Sequence, residues 1–553
     1  MKMTHIALRA CAVMPVAVLA FARPGLADSA EARPLLSMRL RANDTDTLAI
    51  WEGNFKAVAA HPGCCDEIWF STGCGVPSLD WHRARAEVIA QAARDVRTCR
   101  IEPSLQFQAT LGHGDAYGTP ELFACKDWTG WTGPTGVETK FCNCPRQPKF
   151  MDYLRAVSRI YAPLGFRALW IDDDLRISAH QPSGSFGKRS GCWCATCLAA
   201  FNAETGAKWT RPDLAQAVST NAALATRWRR FQIKSLSIVA SAVAEVFHEI
   251  SPTTMLALQH ACYDEQVDQV GEVLKTLHAV SGRPVGFRPG GGAYYDDDPN
   301  GLVKKSLQEG WFRARIGNPD FVCVWTPEIE SWPRTYYSRS PQGVLVEGFT
   351  ALMYGMNSIS FFISNGQKES PDLFGSTYWS ALAAAAPVLR GYAQAVEGSE
   401  RVGFDMPGAV QLGIRRAAIP ILVGVGRRVG SLSKKESERN VNRMTSADVQ
   451  AFRDELDRRA GGLSAVVSSP FSGLMQLHES AGGDFRALAL VNTRISVQGP
   501  VRVKLRRAAF PTGKAVWHEM RHAPLSLPLE GQGSDLFVTI PSVDAWNGGY
   551  LAE

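Results

Sequence analysis

Two short acidic clusters have the residue types and spacing to do chemistry. One is Trp170-Ile-Asp-Asp-Asp-Leu-Arg176, with three consecutive carboxylates; the other is Trp325-Thr-Pro-Glu-Ile-Glu-Ser-Trp-Pro333, with Glu328 and Glu330 two apart. Side chains alternate along a strand, so Asp172 and Asp174 share a direction, and so do Glu328 and Glu330. Two carboxyls facing each other across a cleft are what glycosidic-bond cleavage requires. One is protonated and donates to the leaving oxygen, while the other is ionised and attacks or activates water. Like-charge repulsion among three adjacent aspartates raises the pKa of one of them, which favours a retained proton near neutral pH. Each cluster also has a plainer reading. An aspartate run at a loop start serves as a solvated turn or a divalent-cation site, and Glu-x-Glu before Trp-Pro can simply pair with Arg334 or Arg339. The run Asp296-Asp-Asp-Pro-Asn300 reads as a solvated, Gly-rich loop, with Tyr294 and Tyr295 as sugar-stacking rings.

These clusters acquire a geometry from the elements around them. Eight β-branched and aromatic runs read as strands: Leu36–Leu40, Glu67–Ser71, Leu105–Thr110, Ala168–Asp172, Met255–Gln259, Val285–Arg288, Val322–Thr326 and Ile359–Ile363. Amphipathic helices such as Trp81–Arg97, Phe150–Tyr161, Thr226–Glu249, Lys304–Ala314 and Tyr378–Val396 lie between and after them. Strand and helix alternating to a count of eight predict an α/β fold, a (β/α)8 TIM barrel over residues 28–398. Active sites of such barrels lie at the C-terminal ends of the strands. The three aspartates end the fourth strand and the two glutamates the seventh. His113, in Thr110-Leu-Gly-His113 after the third strand, is expected to face the site, and Trp325 and Tyr294 to contact substrate. After Gly398 the composition shifts. Residues 399–475 read as a small α/β module, with strand-like Val410–Ile414, apolar Ile419–Val425, a charged Lys434–Arg443 stretch and a helix at Ser446–Ala460. Residues 476–553 read as a β-sandwich.

The chain has 553 residues, 45% hydrophobic and 20% charged, with a formal net charge of +6. Lys2, Arg9 and Arg23 account for three of those charges, and no Lys/Arg-rich run follows, so a nucleic-acid partner is not expected. Residues 1–27 read as a signal peptide: basic Lys2 and Arg9, an apolar Cys11–Phe21, and small residues in Gly25-Leu-Ala27 before Asp28. The expected location is periplasmic or secreted, with no membrane span. Of the thirteen cysteines all but Cys11 lie beyond this leader, where disulfides are the ordinary expectation. Cys192-x-Cys194-x-x-Cys197 departs from that expectation, because three thiols on one turn converge more naturally as metal ligands. Tetrahedral zinc needs a fourth, and Cys144 is the best upstream candidate.

Order and local motifs resemble the clan A glycoside hydrolases, in particular the family 42 β-galactosidases. The residues carrying the resemblance are Cys144-Pro-Arg-Gln-Pro148 before a helix and the fourth strand, Asp172-Asp173-Asp174 where the family has Asp-Asn-Glu, and the Cys192, Cys194, Cys197 motif opening a helix. Glu330-Ser-Trp-Pro333 matches the family's Glu-x-x-Pro, and Gly355-Met-Asn-Ser-Ile-Ser-Phe-Phe362 looks like its eighth strand. The resemblance implies Asp174 as general acid/base, Asp173 in the sugar-orienting position and Glu330 as nucleophile. Asp172 and Glu328 stand beside them as rivals and substrate contacts. It further implies a structural zinc on Cys144, Cys192, Cys194 and Cys197, no organic cofactor, a carbohydrate substrate, a β-linkage, a retaining outcome and homo-oligomers. Replacement of the family's Asn-Glu by Asp-Asp leaves two other readings. One is a catalytically silent carbohydrate-binding barrel; the other is a metal-dependent hydrolase using Asp172–Asp174 with His113 or His180.

Overall fold

Period-two apolar runs can bury both faces only if helices cover the outside and side chains fill the inside, and the computed structural model has this arrangement. It describes residues 35–553 apart from 116–117, 178–189, 262–266, 291–295, 297–311, 314–315, 318, 332–338, 364–374, 406–426, 432–444 and 461. Residues Pro34–Glu553 form one compact unit. The leader, Tyr294, Tyr295, His180, Arg334, most of the helix expected at Lys304–Ala314 and the runs at 410–414, 419–425 and 434–443 lie outside the described residues. Among the described residues no helix is long and apolar enough to cross a membrane.

The barrel strands are β1 (Leu36–Arg39), β2 (Glu67–Ser71), β3 (Glu102–Phe107), β6 (Ala168–Ile171), β7 (Met255–His260), β8 (Val285–Pro289), β9 (Val322–Trp325), β10 (Glu328–Glu330) and β11 (Ile359–Phe362). All pair in parallel, in the order β10-β11-β1-β2-β3-β6-β7-β8-β9. The expected seventh strand is thus two strands. β9 pairs with β8 and β10 with β11, and Thr326-Pro327 joins them. Proline has no N–H for a ladder, which accounts for the break at this point. Because β9 and β10 are nearly consecutive in the chain, this joint closes the sheet into a ring.

The inward face follows period two. Trp69, Ala168, Trp170, Ala257 and Val324 form an inner cluster, with Trp69 and Trp170 stacked at 4.1 Å. Gly286 makes room for them, since a Cβ there would lie 2.9 Å from the Trp170 ring. The outward set, including Met38, Ile68, Phe70, Leu105, Phe107, Leu169 and Ile171, packs under helices α1 (Leu48–Ala59), α2 (Leu79–Thr98), α3 (Pro148–Tyr161) and α6 (Ala222–Ile250). An antiparallel hairpin, β4 (Gly130–Thr132) and β5 (Glu138–Asn143), is inserted after β3. Two short helices, α4 (Ala195–Thr205) and α5 (Arg211–Thr220), precede α6, and α7 (Val267–Ser281) follows β7. Helices α8 (Pro341–Met353) and α9 (Ser380–Ala395) complete the ring.

The C-terminal region departs from the expected division at 475/476. β12 (Glu400–Asp405), β13 (Arg427–Ser431), β15 (Gly473–Glu479), β16 (Phe485–Asn492), β18 (Ala515–Glu519), β19 (Leu525–Leu527) and β22 (Asn547–Ala552) share one sheet, so the boundary falls inside β15. A second sheet contains β14 (Ala465–Val467), β17 (Val501–Arg506), β20 (Leu529–Gln532) and β21 (Asp535–Ile540). Alternating inward residues of both sheets, such as Val402, Leu477, Leu488, Val503 and Val538, share one core with Phe452 and Leu456 of α10 (Ser446–Ala460). The long-range pairing of β12 with β15 is what merges the expected module with the sandwich.

Candidate active site

The inward positions that hold tryptophan and alanine deep in the barrel hold polar residues at the C-terminal strand ends. Arg39 ends β1, Gln106 lies in β3, Asp172 follows β6, Gln259 lies in β7, Arg288 in β8, and Glu328 and Glu330 flank the outward Ile329 in β10. All seven are buried. They form one network. The Arg39 Nη1 and Arg288 Nη1 reach Glu328 Oε1 at 3.0 and 2.8 Å. Arg39 Nε donates to Gln106 Oε1 (3.3 Å), and Gln106 Nε2 donates to Asp172 Oδ1 (2.9 Å). Arg288 Nε donates to Gln259 Oε1 (3.2 Å), while its Nη2 lies 3.4 Å from Asp173 Oδ2. A single guanidinium therefore bridges the fourth-strand and seventh-strand clusters. Burial and the neighbouring Arg288 pull Arg39 below its ordinary pKa, and the charges of Glu328, Asp172 and Glu330 oppose this.

The three aspartates differ because their surroundings do. For Asp173, burial favours the neutral form. A hydrogen bond with His113 and the charges of Arg176 and Arg288 overcome that and keep its carboxylate well below the usual range. Asp172 is raised by burial and by Asp173, against the pull of His113, Arg39 and Arg288. Asp174 is pushed up to about 7, by burial first and then by Asp172 and Asp173, although His113 and the Gly112 N–H act the other way. Its Oδ2 accepts from the Gly112 N–H, and its buried Oδ1 has no hydrogen-bond partner. One short segment thus carries an ionised carboxylate beside a carboxyl that titrates near neutrality, the pairing acid catalysis uses.

His113 joins the site. Its Nε2 is 3.4 Å from Asp173 Oδ1 and 4.0 Å from Asp172 Oδ2. Burial would lower its pKa, but the Asp173 hydrogen bond and the three aspartate charges outweigh burial and raise it to about 9. Its charged form is thereby favoured at neutral pH. His113, Asp172 and Asp173 bring donor atoms within 4.8 Å of one another, and Arg176 and Arg288 also lie against Asp173, so in this structure the set is an ion-pair network. Trp325 does not join it. Val324 and Thr326 take the inward positions, so Trp325 faces outward, 1% exposed, against Phe287 and beneath Arg313. The expectation of substrate contact at Trp325 is corrected by that alternation. Asp296 is exposed, in keeping with its solvated reading, and accepts from Arg339 Nε (3.1 Å) and the Ser340 N–H (2.7 Å). Arg339 pairs with Glu347 as well, at 2.7 Å. Sequence reasoning missed Arg39, Gln106, Gln259, Arg288 and Gly112. The available signal was a polar residue at the last turns of otherwise apolar strands, as in Leu36-Ser-Met-Arg39 and Val285-Gly-Phe-Arg288.

The four cysteines converge between the end of β5 and the start of α4. Cys194 caps α4 and Cys144 follows β5. Their sulfurs are 3.4 Å apart, Cys144 and Cys197 are 3.5 Å apart, and with Cys192 all four lie within 4.8 Å of one another. These separations are far beyond an S–S bond of about 2.05 Å and close to the edge of about 3.8 Å that a tetrahedral Zn–S₄ centre requires. The donor set therefore fits a tetrahedral thiolate-bound ion. Gln232 fixes the turn, accepting from the Cys192 N–H (2.9 Å) and donating to its carbonyl (3.2 Å).

No protein-family profile and no curated protein matches the chain. Among solved structures it is similar to α-L-fucosidase isoenzyme 2 from Paenibacillus thiaminolyticus, at 11% identity and a TM-score of 0.50, covering 94% of this chain and 99% of that one. It is also similar to the β-galactosidase from Rahnella sp. R3, at 11% identity and a TM-score of 0.49, over 95% and 98% of the two chains. A third is the β-galactosidase from Bacillus circulans sp. alkalophilus, at 9% identity and a TM-score of 0.46, over 94% and 98%. The likeness to the fucosidase runs nearly the full length of both chains and is one of fold, that of a (β/α)8 barrel continued by a β-rich C-terminal region.

Proposed function

We propose that this protein is a glycoside hydrolase acting on a β-linked glycan, with Asp174 as the proton donor and Glu330 as the nucleophile. The observation that carries this reading is the division of labour at one barrel mouth. Asp174 titrates near 7, while Glu328 sits on two buried guanidiniums across the same mouth and Asp173 is held ionised. Asp174 gives its proton to the glycosidic oxygen as the bond to the anomeric carbon breaks, and the Glu330 carboxylate takes that carbon. Water deprotonated by Asp174 then displaces Glu330 and restores both groups. Glu328, fixed by Arg39 and Arg288, lies beside the developing oxocarbenium ion. The motif resemblance to family 42 and the fold likeness to a solved fucosidase support a glycoside as substrate. Secretion after cleavage near residue 27 and a structural zinc on the four cysteines belong to the same proposal. That zinc would pin β5 to α4, and no step of the reaction passes through it.

The test is a panel of chromogenic α- and β-glycosides and of plant and microbial oligosaccharides, with wild type and Asp174→Asn. Turnover of substrates with poor leaving groups should fall by roughly 10²–10⁴ in the variant, with activated aryl glycosides suffering less. Wild-type hydrolysis of no glycoside, or an Asp174→Asn variant as active as wild type on poor leaving groups, would defeat the assignment.

A further inference from the structure

The aspartate segment lies at the end of β6, but the group that touches Asp174 from outside it comes from the loop after β3, and that loop is held by the β4–β5 hairpin. The Asn143 N–H donates to Leu111 O (2.8 Å), and its Nδ2 donates to Thr110 O (2.9 Å). The Cys142 thiol donates to Gly112 O (3.6 Å). Asn143 is itself locked, fully buried, with its Oδ1 accepting from Trp128 Nε1 at 3.0 Å. Gly112 has φ of +94°, and a Cβ there would lie 2.5 Å from Phe141 O. Only glycine lets this loop lie so close against β5. In that position its N–H meets Asp174 Oδ2, and the next residue, His113, reaches Asp172 and Asp173.

We propose that the β4–β5 hairpin is the positioning element of the acid, with Asn143 and Gly112 as positioning residues that aim the Gly112 N–H and the His113 ring at the aspartate cluster. This rests on the reading of Asp174 as the proton donor. Neither residue touches a reacting atom. Their action is on the proton affinity of Asp174, and its sign follows from the groups around it. The titratable groups acting on Asp174 are His113 from the β3 loop, Asp172 and Asp173 from its own segment, and Cys142 from β5. His113 and the Gly112 N–H favour the carboxylate, whereas burial and the other two aspartates favour the acid. A displacement that breaks these two contacts while Asp174 stays buried removes the first pair and leaves the rest, so Asp174 should hold its proton to higher pH.

The variants are Gly112→Ala, which drives the loop off β5, and Asn143→Ala, which cuts its tie to Thr110. The direct readout is the carboxyl ¹³C titration of Asp174 in protein labelled at aspartate, assigned by its loss in Asp174→Asn. The midpoint should rise by about one pH unit in each variant, the size expected on losing one charge-assisted bond. The alkaline limb of kcat/KM should move with it. Zinc content should match wild type, which separates loop displacement from damage at neighbouring Cys144. A merely structural role would lower stability and leave the midpoint in place. Midpoints within roughly 0.2 units of wild type in the folded variants, a downward shift, or a shift seen only with zinc loss would each overturn the proposal. If Gly112→Ala does not fold, Asn143→Ala decides alone. Should the wild type hydrolyse no glycoside while the midpoint still moves as stated, the positioning role stands and the hydrolase reading falls.

Discussion

Arg288→Met removes a side chain that touches both carboxylate clusters directly. Arg288 is fully buried and serves three groups: Glu328 at 2.8 Å, Asp173 at 3.4 Å and Gln259 at 3.2 Å. Breaking a buried ion pair by deleting one partner costs about 3–5 kcal/mol when the other charge is left alone. Here Arg39 stays on Glu328, and His113 and Arg176 stay on Asp173, so the charge penalty is smaller. The Gln259 carbonyl loses its donor, and the expected net loss is about 2–4 kcal/mol. In a chain of this size that is a fall in Tm of about 2–4 °C. The pH dependence gives the sharper test. A carboxylate whose folded pKa is depressed, as for Asp173, stabilises the fold above the unfolded pKa of about 3.9, and the stabilisation is lost as pH falls through the folded value. Arg288→Met weakens that depression. The gap between wild type and variant should therefore be full at pH 7, persist at pH 4, and narrow only as the pH falls well below about 3.9 toward the folded value. Circular-dichroism melts at pH 7 and over about pH 2–3 measure it. An equal gap in both ranges, or no gap at pH 7, refutes the account of Arg288 as a charge bridge.

The nucleophile assignment predicts that Glu330→Gly loses turnover with the fold intact, and that azide restores cleavage of activated substrates with inverted anomeric configuration. Glu328→Gly tests the neighbour, since azide rescue there instead would exchange the two roles. Cys194→Ser should abolish bound zinc and lower Tm while leaving kcat on activated glycosides nearly unchanged, as elemental analysis, melting and steady-state kinetics will show. Disulfides among Cys144, Cys192, Cys194 and Cys197 found by mass spectrometry would contradict it. Trp325→Ala should cost about 3–5 kcal/mol of stability through its outward cavity, with KM on any substrate unaffected by loss of contact. A selective rise in KM without destabilisation would return Trp325 to the site.

The barrel was legible because its signal is local. Runs such as Glu67–Ser71 and Ala168–Ile171 announce strands through residues adjacent in sequence, and they fall within a residue or two of where they were expected. The Cys192–Cys197 turn was legible for the same reason, whereas Cys144, some 50 residues upstream, was only the best candidate for a fourth ligand and part of the family resemblance. Trp325 was misplaced because its neighbours in the motif are acidic, although strict alternation from Val324 already sends it outward. Arg39, Gln106, Gln259 and Arg288 were overlooked because each is a lone polar residue in an apolar strand. Their meaning arises only when strands far apart in sequence bring them to one mouth. The merging of 399–475 with the sandwich was hidden likewise, since nothing near Val402 indicates that its partner is Leu477.

The joint at Thr326-Pro327 bears on when the site comes into being. The ring is completed where β1 meets β11, Leu36 opposite Ile359, and where β10 takes its place beside β11. The Arg39–Glu328 bond spans 289 residues of sequence. As the chain leaves the ribosome, the earliest barrel strand waits for one of the last, and contacts of such separation form slowly because a long loop must close first. Until then Arg39 stays in water and Glu328 lacks one of its two cations. Closing the ring and drying these charges are the same event. A chain truncated before β11 should retain no half-built site, and the acid and nucleophile segments become a pair in the step that finishes the barrel.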